Sequence, residues 1–392
     1  MLAQIGTITL INVMSIPRRL WMSLSAIMAS AIVVAVLLAF LAMADGFKRT
    51  VEGAGSEDIA ILQRPGSQSE LNSVISREQV NLAREAPGIA RDESGRAVFS
   101  PELYVIIDGK KRNKGTDANL PVRGLEPEGL ALRDKMRIVE GRLFTPGTNE
   151  VVVGRGVTRE FSGLEVGKRI RTGENEWLVV GHFEAEGTVY ESEIWADAKV
   201  IQSAFNRGGS YQVIRVRLTA PESLAELQAA LDSDPRLKLE ARSERDYLAE
   251  QASGVSNLIR RLGWPIAIAM AFGALAGALN AMYASVASRA REIGTLRAIG
   301  FSRFATFCGT LVEAMLLATA GGLLGAIAAW LLFDGFTAST LGGSFTQVVF
   351  RFSIGFGTVA TGIGLAIAIG LLGGFFPALR AARAPVSNAF LD

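Results

Sequence analysis

Four long, nearly uncharged apolar runs, Leu20–Ala44, Leu262–Ser288, Phe304–Phe333 and Phe352–Leu379, constrain this chain more than any other feature. Each is long enough to cross a hydrocarbon core of ~30 Å, which takes about 20 residues of helix. With 49% hydrophobic residues in 392, the composition is too apolar for an ordinary soluble protein of this size. The fold class expected is therefore an α-helical membrane protein with four transmembrane helices. A large α+β extracytoplasmic domain, 45–261, lies between spans 1 and 2.

The net charge of +2 conceals an uneven distribution. Arg18 and Arg19, the arginines of 289–303, and Arg380 and Arg383 border the spans on one side, so both termini are expected in the cytoplasm. The same rule places 45–261 and the short Asp334–Arg351 connection outside. Because topology explains the basic residues, they give no support to nucleic-acid binding. An apolar stretch, Leu2–Ile16, precedes Pro17-Arg18-Arg19, and residues 1–19 read either as an interfacial elbow or as an extension of the first span. Ala42-Met43-Ala44 resembles a signal cleavage site, but the run before it is longer than the ~7–15 residues of a signal h-region, so a retained anchor is expected.

The outer segment mixes strand and helix patterns. Asp58–Leu62, Glu102–Ile107, Tyr211–Leu218 and Leu237–Ala241 read as strands, with helices after Ser76 and over Pro221–Leu231. Two β-α-β units thus bracket a β-rich insert, about 125–206, holding strands at Glu150–Val153, Arg169–Arg171, Trp177–Val180 and Ile194–Trp195. A turn at Thr172-Gly173-Glu174-Asn175 joins two of these. Leu248, Gln251, Val255, Leu258, Ile259 and Leu262 recur at helical spacing, predicting a stalk that runs into the second span.

Little in this chain can support catalysis. The single cysteine, Cys308, lies in the third span, which leaves the outer segment without disulfides or a thiolate metal site. Gly163-Leu-Glu-Val-Gly-Lys168 has the wrong spacing for a phosphate-binding loop and carries Arg169 where Ser or Thr must reach magnesium. His182 is the only histidine, and a site with Glu184 or Glu186 is the most that it could build. No Gly-x-Ser-x-Gly elbow stands between a strand and a helix. We expect no catalytic residue and no metal site.

Three features within the membrane part are candidate functional residues. Glu313 is the only carboxylate in the spans; a clamp paired with an arginine near the inner interface and a substrate or proton site are both open readings. Asn280 reads as interhelical glue. Gly273–Gly277, Gly321–Gly325 and Gly370–Gly374 are Gly-x-x-x-Gly pairs, which favour close helix packing. Between the second and third spans, 289–302 forms a charged, helix-prone knob. Its Ile293, Leu296 and Ile299 fall at i, i+3 and i+6, predicting one greasy and one basic face suited to a partner's groove.

The stretch Arg291-Glu-Ile-Gly-Thr-Leu-Arg-Ala-Ile-Gly-Phe-Ser302 resembles the coupling-helix signature of ABC transporter permeases of the MacB/FtsX/LolC type, the type VII architecture. Val312-Glu-Ala-Met-Leu-Leu317 with Gly321-Gly-Leu-Leu-Gly325 is similar to the family's third-span pattern. Gly373-Gly-Phe-Phe-Pro-Ala-Leu-Arg-Ala-Ala-Arg-Ala-Pro385 is similar to its closing run, although the Pro385–Phe390 ending departs from the Leu-Arg ending often found there. In the outer segment, Val122-Arg-Gly-Leu125, Glu140-Gly-Arg-Leu-Phe144, Asn149-Glu-Val-Val-Val-Gly154 and Leu164-Glu-Val-Gly-Lys168 resemble the MacB-like periplasmic core.

The resemblance implies Porter and Sabre subdomains outside and an FtsX-like permease domain over 262–392. It also implies a non-catalytic subunit of the bacterial inner membrane, moved by a separate cytoplasmic ABC ATPase that binds ATP and magnesium, since the fused ATPase of MacB is absent from this sequence. Arg289, Arg291, Glu292 and Arg297 would make polar contacts to that ATPase. Ile293, Leu296 and Ile299 would pack into it or onto the bundle, with Gly294 and Gly300 permitting close approach and termination. Further implied partners are a second permease copy, identical or related, the lipid bilayer, and a periplasmic adaptor with an outer-membrane duct. Mechanotransmission for export or extraction is the function implied. FtsX-like control of a cell-wall hydrolase and LolC/LolE-like lipoprotein release are the alternatives.

Overall fold

A computed structural model describes residues 2–112, 115–172, 175–341 and 347–384. It divides into two compact units, one of Met1–Asp45, Asn257–Phe336 and Phe352–Asp392, the other of Gly46–Ser256 and Thr337–Arg351. The Thr172–Asn175 turn and the Pro385–Phe390 ending fall wholly or partly outside the described residues.

Among the described residues, 4 helices are long and apolar enough to cross a membrane: Leu20–Glu52, Glu244–Ser288, Arg303–Phe333 and Phe356–Arg383. The stalk and the second span form one helix, Glu244–Ser288. A separate helix, Leu2–Met14, is followed by a 3-10 turn, Ile16–Arg19, with Pro17 at its start. Proline's fixed φ and missing N–H suit that opening turn, where the donor would lack a partner anyway.

In the first unit, small residues let the third-span helix approach its neighbours closely. A Cβ at Gly321 would lie 2.4 Å from the Ile27 carbonyl oxygen of the first span, and one at Gly325 2.3 Å from that of Ala31. On the fourth span, Cβ atoms at Gly370 and Gly374 would lie 2.7 Å and 2.4 Å from the Cβ atoms of Ala318 and Ala314. Ser30 Oγ donates to the Ala318 carbonyl at 3.0 Å. Gly273 and Gly277, by contrast, face open space on the second span, and Asn280 is exposed a turn further along.

The second unit holds strands β1 (Ile59–Gln63), β2 (Phe99–Lys110), β3 (Asp117–Leu125), β4 (Arg137–Gly141), β5 (Glu150–Gly154), β6 (Arg169–Thr172), β7 (Asn175–Glu184), β8 (Ile194–Asp197), β9 (Val213–Arg217) and β10 (Glu240–Ser243). They form one sheet in the order β10-β1-β9-β2-β3-β8-β5-β7-β4, with β6 on β7. The β10-β1-β9-β2 part is antiparallel throughout. Helices Arg77–Arg84 and Ser223–Ser233 connect β1 to β2 and β9 to β10, a split β-α-β pair of ferredoxin-like type. Ser76 and Gln79 close a capping box on the first of these helices. Its core is Leu62, Ile75, Val80, Phe99, Ile214 and Leu227 with their neighbours.

β2 serves both halves of this sheet. Phe99–Glu102 pairs with β9 and Leu103–Lys110 pairs with β3. The β-rich half therefore begins before residue 125, with β3, whose Pro121 and Gly124 obscure the strand pattern in sequence. Its core gathers Val105, Val122, Val151, Val153, Phe161, Trp177 and Ile194. The connection after the third span is not a plain loop. It pairs β11 (Thr337–Leu341) with β12 (Gln347–Arg351) in a hairpin of the second unit. Val349 N donates to Ser192 Oγ at 2.9 Å, and the Phe350 ring meets Phe47 edge-on at 5.5 Å.

Where the two halves share β2, the interior is ionic. Arg123 Nη1 donates to Glu70 at 2.6 Å and Glu102 at 2.8 Å, while its Nε and Nη2 engage Glu193 at 2.7 and 2.6 Å. Arg215 donates to Glu102 at 3.0 Å and Glu70 at 2.9 Å and pairs with Glu244; Arg133 donates to Glu102 at 2.8 Å. Burial alone would push the Glu102 carboxyl up, but Arg133, Arg215 and Arg123 outweigh it and hold it at about 2.

Two predictions follow from this packing. Gly325→Ala should destabilise the purified protein by about 1–3 kcal/mol through overpacking, whereas Gly277→Ala should be neutral or stabilising by up to ~1 kcal/mol; melting temperatures in detergent compare them. Because the folded pKa of Glu102 lies below its ordinary 4.5, its stabilisation is complete above that value and is lost as pH falls toward about 2. Acid unfolding followed by circular dichroism should show this, and Glu102→Gln should flatten that part of the profile.

Candidate functional site

The buried carboxylate of the third span organises the polar residues of the first unit. Glu313, 1% exposed, accepts from Arg19 Nη2 at 2.9 Å through Oε1 and from Arg289 Nη1 at 3.4 Å through Oε2. Arg289 Nη2 reaches Asn12 Oδ1 at 2.5 Å, and its Nε reaches Glu292 at 3.0 Å. Asn12 Nδ2 donates to the Gly309 carbonyl at 3.2 Å, and Arg19 Nη2 also donates to Ser15 Oγ at 2.8 Å. Two arginines and two glutamates balance, so the cluster carries no net charge. It ties together the elbow, the third span and the entry to the knob.

Isolated charges could not stay in such a place, because desolvating each ion costs several kcal/mol unless partners saturate it. Of the two readings open for Glu313, this geometry favours the clamp: both carboxylate oxygens are engaged by guanidinium groups.

The knob is a helix of two turns, Ala290–Ala298. Ile293, 5% exposed, packs with Val286, Ala381 and Ala384, and Gly294 is buried beside it. Arg297 Nη1 donates to the carbonyl oxygens of Ala382 at 2.8 Å and Ala384 at 3.2 Å, satisfying the open end of the fourth-span helix. Gly300 has φ +107°, the left-handed turn that ends the knob. Arg291, Glu292, Thr295 and Ile299 lie on the exposed side, Ile299 at 72%, and Leu296 is half-buried.

This placement divides the residues expected to meet a partner. Arg289 and Arg297 turn into the bundle, whereas Arg291 and Glu292 face outward. Ile293, Leu296 and Ile299 do not share one face, because six residues of helix advance about 600°, leaving Ile299 about 120° from Ile293. Arg19 and Asn12 complete the cluster. Arg19 stood out in sequence only as a topological charge, and Asn12 carried no signal in an apolar stretch.

His182 does not join Glu184 or Glu186. Its Nδ1 lies 3.0 Å from Glu140 Oε2 and its Nε2 2.7 Å from the Leu164 carbonyl, linking β7 to β4 and to the turn before β6. Among the described residues no group of His, Cys, Asp and Glu is arranged to hold a metal ion.

Known proteins place this architecture. Residues 23–234 match the family model of the MacB-like periplasmic core domain, and 265–386 that of the FtsX-like permease C-terminal domain. The chain belongs to this family, the MacB-like and FtsX-like permeases of type VII ABC transporters. Among its relatives is the macrolide export ATP-binding/permease protein MacB of Nitrosomonas europaea, 26% identical over 373 residues, which are 89% of this chain and 54% of that protein. This chain thus spans about half the length of that relative. The uncharacterized ABC transporter permease YvrN of Bacillus subtilis is 24% identical over 400 residues, covering 92% of each chain. The crystal structure of the periplasmic region of MacB from Actinobacillus actinomycetemcomitans aligns with 53% of this chain and 95% of its own, at 14% identity and a TM-score of 0.37.

Glu313→Ala should take the carboxylate from the buried Arg19, leave Arg289 with Glu292 and Asn12 alone, and cost about 3–5 kcal/mol. Unfolding of the detergent-solubilised protein measures this; a loss below ~1 kcal/mol would show that water already solvates the cluster.

Proposed function

We propose that this chain is the membrane subunit of an ATP-driven transporter whose motor is a separate cytoplasmic ABC ATPase, seated on the outward face of Ala290–Ala298. ATP and magnesium belong to that partner, and this chain contributes coupling rather than catalysis. Two permease copies, identical or related, would each dock one ATPase in the bacterial inner membrane, with both termini cytoplasmic as the arginine distribution indicates. Closure of the ATPase pair would move the knobs, and the extracytoplasmic domain would follow, driving export or extraction of a substrate taken up outside. A periplasmic adaptor and outer-membrane duct would complete an exporter.

The observation that carries this reading is how the knob is held. Ile293 anchors it in an apolar niche, Arg289 ties it through Glu313 to Arg19, and Arg297 grips the end of the fourth-span helix. Force applied at Arg291, Glu292 or Ile299 would therefore reach the elbow and three spans at once. A flexible loop obeying the charge rule would need none of these anchors.

In the variant Ile299→Asp, at a residue 72% exposed, the ATPase should co-purify about tenfold or more less well, as for loss of an interface hot spot, while the melting temperature of the permease stays unchanged. Retention of a stoichiometric, fully coupled ATPase would overturn the docking face. The same pull-down separates the family's activities: an adaptor supports export, a cell-wall hydrolase supports FtsX-like regulation, and a different permease with bound lipoprotein supports LolC/LolE-like extraction.

A further inference from the structure

Two helices lead out of the second unit, and both join its sheet at one place. Only residues 53–58 separate the helix Leu20–Glu52 from β1, and the helix Glu244–Ser288 begins at the residue after β10. β1 and β10 are antiparallel neighbours, with Ala60 opposite Ser243. Ser243 Oγ accepts from the Asp246 amide at 3.0 Å and so caps the second of these helices. The Glu244 carboxylate, at the head of that helix, is thereby left to other partners. It is 2% exposed. One oxygen accepts from the Ser56 amide at 3.2 Å, in the connection that follows the first helix. The other is held by Arg215 of β9 and by the Tyr190 hydroxyl. That hydroxyl also accepts from Arg215 Nη1 at 2.7 Å, and burial pushes its pKa up, so it remains a proton donor.

The backbones of the two segments also touch. The Arg245 amide donates to the Ser56 carbonyl at 3.2 Å. A Cβ at Gly55 would lie 2.7 Å from Arg245 Cα and 3.2 Å from its N, so glycine is what allows this approach. Arg245 pairs with Glu57 as well, but both side chains are more than half exposed, and such a pair adds little. The hold therefore rests on the buried carboxylate, whose removal leaves the Ser56 amide and the Tyr190 hydroxyl without an acceptor. Arg215 would keep Glu102 at 3.0 Å and Glu70 at 2.9 Å, so the ionic core survives that loss.

We propose that Glu244 is the positioning residue of a coupling joint. It fixes the connection after Leu20–Glu52 and the start of Glu244–Ser288 to each other and to β9. A displacement carried along either helix then reaches the sheet as one movement, instead of being absorbed by residues 53–58. The joint itself is a matter of geometry within the second unit; its use in coupling rests on the transporter reading above. Charge-assisted hydrogen bonds suit this task, because they hold direction as well as distance. A contact made only of apolar side chains would let the two segments slide.

The test is amide hydrogen exchange on the full chain in lipid nanodiscs, read at Ser56 and Arg245 with the β9 amides as the internal control. In Glu244→Ala, exchange at Ser56 and Arg245 should rise together by about tenfold or more, the loss of a hydrogen bond to a charged group, while β9 keeps its protection. Gly55→Ala, which wedges Arg245 away from Ser56 without touching the ionic core, should do the same and decides the matter if Glu244→Ala does not fold. A rise at one of the two amides alone, or one that β9 shares, would overturn the joint. The second measurement repeats the exchange on the complex with the ATPase that co-purifies with the wild type, in ADP and then in a non-hydrolysable ATP analogue. The wild-type sheet should respond to the change of nucleotide. In Glu244→Ala the ATPase should stay bound and that response should be lost; its persistence would overturn the coupling role. No response in the wild type would count against the transporter reading, and the comparison of Ser56, Arg245 and β9 would then judge the joint by itself.

Discussion

Glu313 imposes the constraint on which the membrane unit is arranged. A carboxylate at 1% exposure in an apolar bundle persists only if something nearby is positive and stays there. Arg19 and Arg289 meet that need from two directions, one from the elbow before the first span and one from the entry to the knob. Arg19 in turn leans on Glu313 for its ion pair, and Arg289 shares itself between Glu313 and Glu292. Three segments distant in sequence are therefore held by mutual necessity, a firmer condition than apolar contact, which tolerates sliding. The glycine contacts at Gly321, Gly325, Gly370 and Gly374 set how close the helices stand, while the ionic cluster determines which end of the bundle is locked.

The outer unit repeats this logic on a larger scale. Arg123 and Arg215 each bridge several carboxylates, and both stack near tyrosine rings, Tyr104 and Tyr190. These residues lie where the ferredoxin-like half and the β-rich half meet on β2. An apolar junction would bind the halves through surface area alone. An ionic one specifies the register as well, because a displaced partner leaves a buried charge unpaired. Arg133 is the member of this set whose donors are only partly used.

Periodic features could be read from the residues, and spatially assembled ones could not. The four spans, the capping box at Ser76 and the strands at Glu150 and Ile194 follow from local pattern, since helical and extended backbones impose their own repeats on what is buried. β3 escaped because Pro121 and Gly124 break its alternation, and the β11–β12 hairpin because a short connection between spans gives no reason to expect strands. At the knob, the residue types were visible but their directions were not. Arg289 and Arg297 read as surface charges until the third span and the end of the fourth are brought beside them. Arg123, Glu193 and Arg215 each look like solvated residues on a strand edge, and only the folded sheet gathers them around Glu102.

The chain passes between its two units four times, and at two of those crossings, after Asp45 and after Ser256, it does so inside unbroken helices. A coil linker would absorb an added or deleted residue without effect. A helix cannot, because each residue advances the chain by about 1.5 Å and turns it by about 100°. Leu20–Glu52 and Glu244–Ser288 therefore make chain length itself a phased quantity at these points. A residue inserted or deleted within either helix shifts every later position of that helix by about 1.5 Å and about 100°.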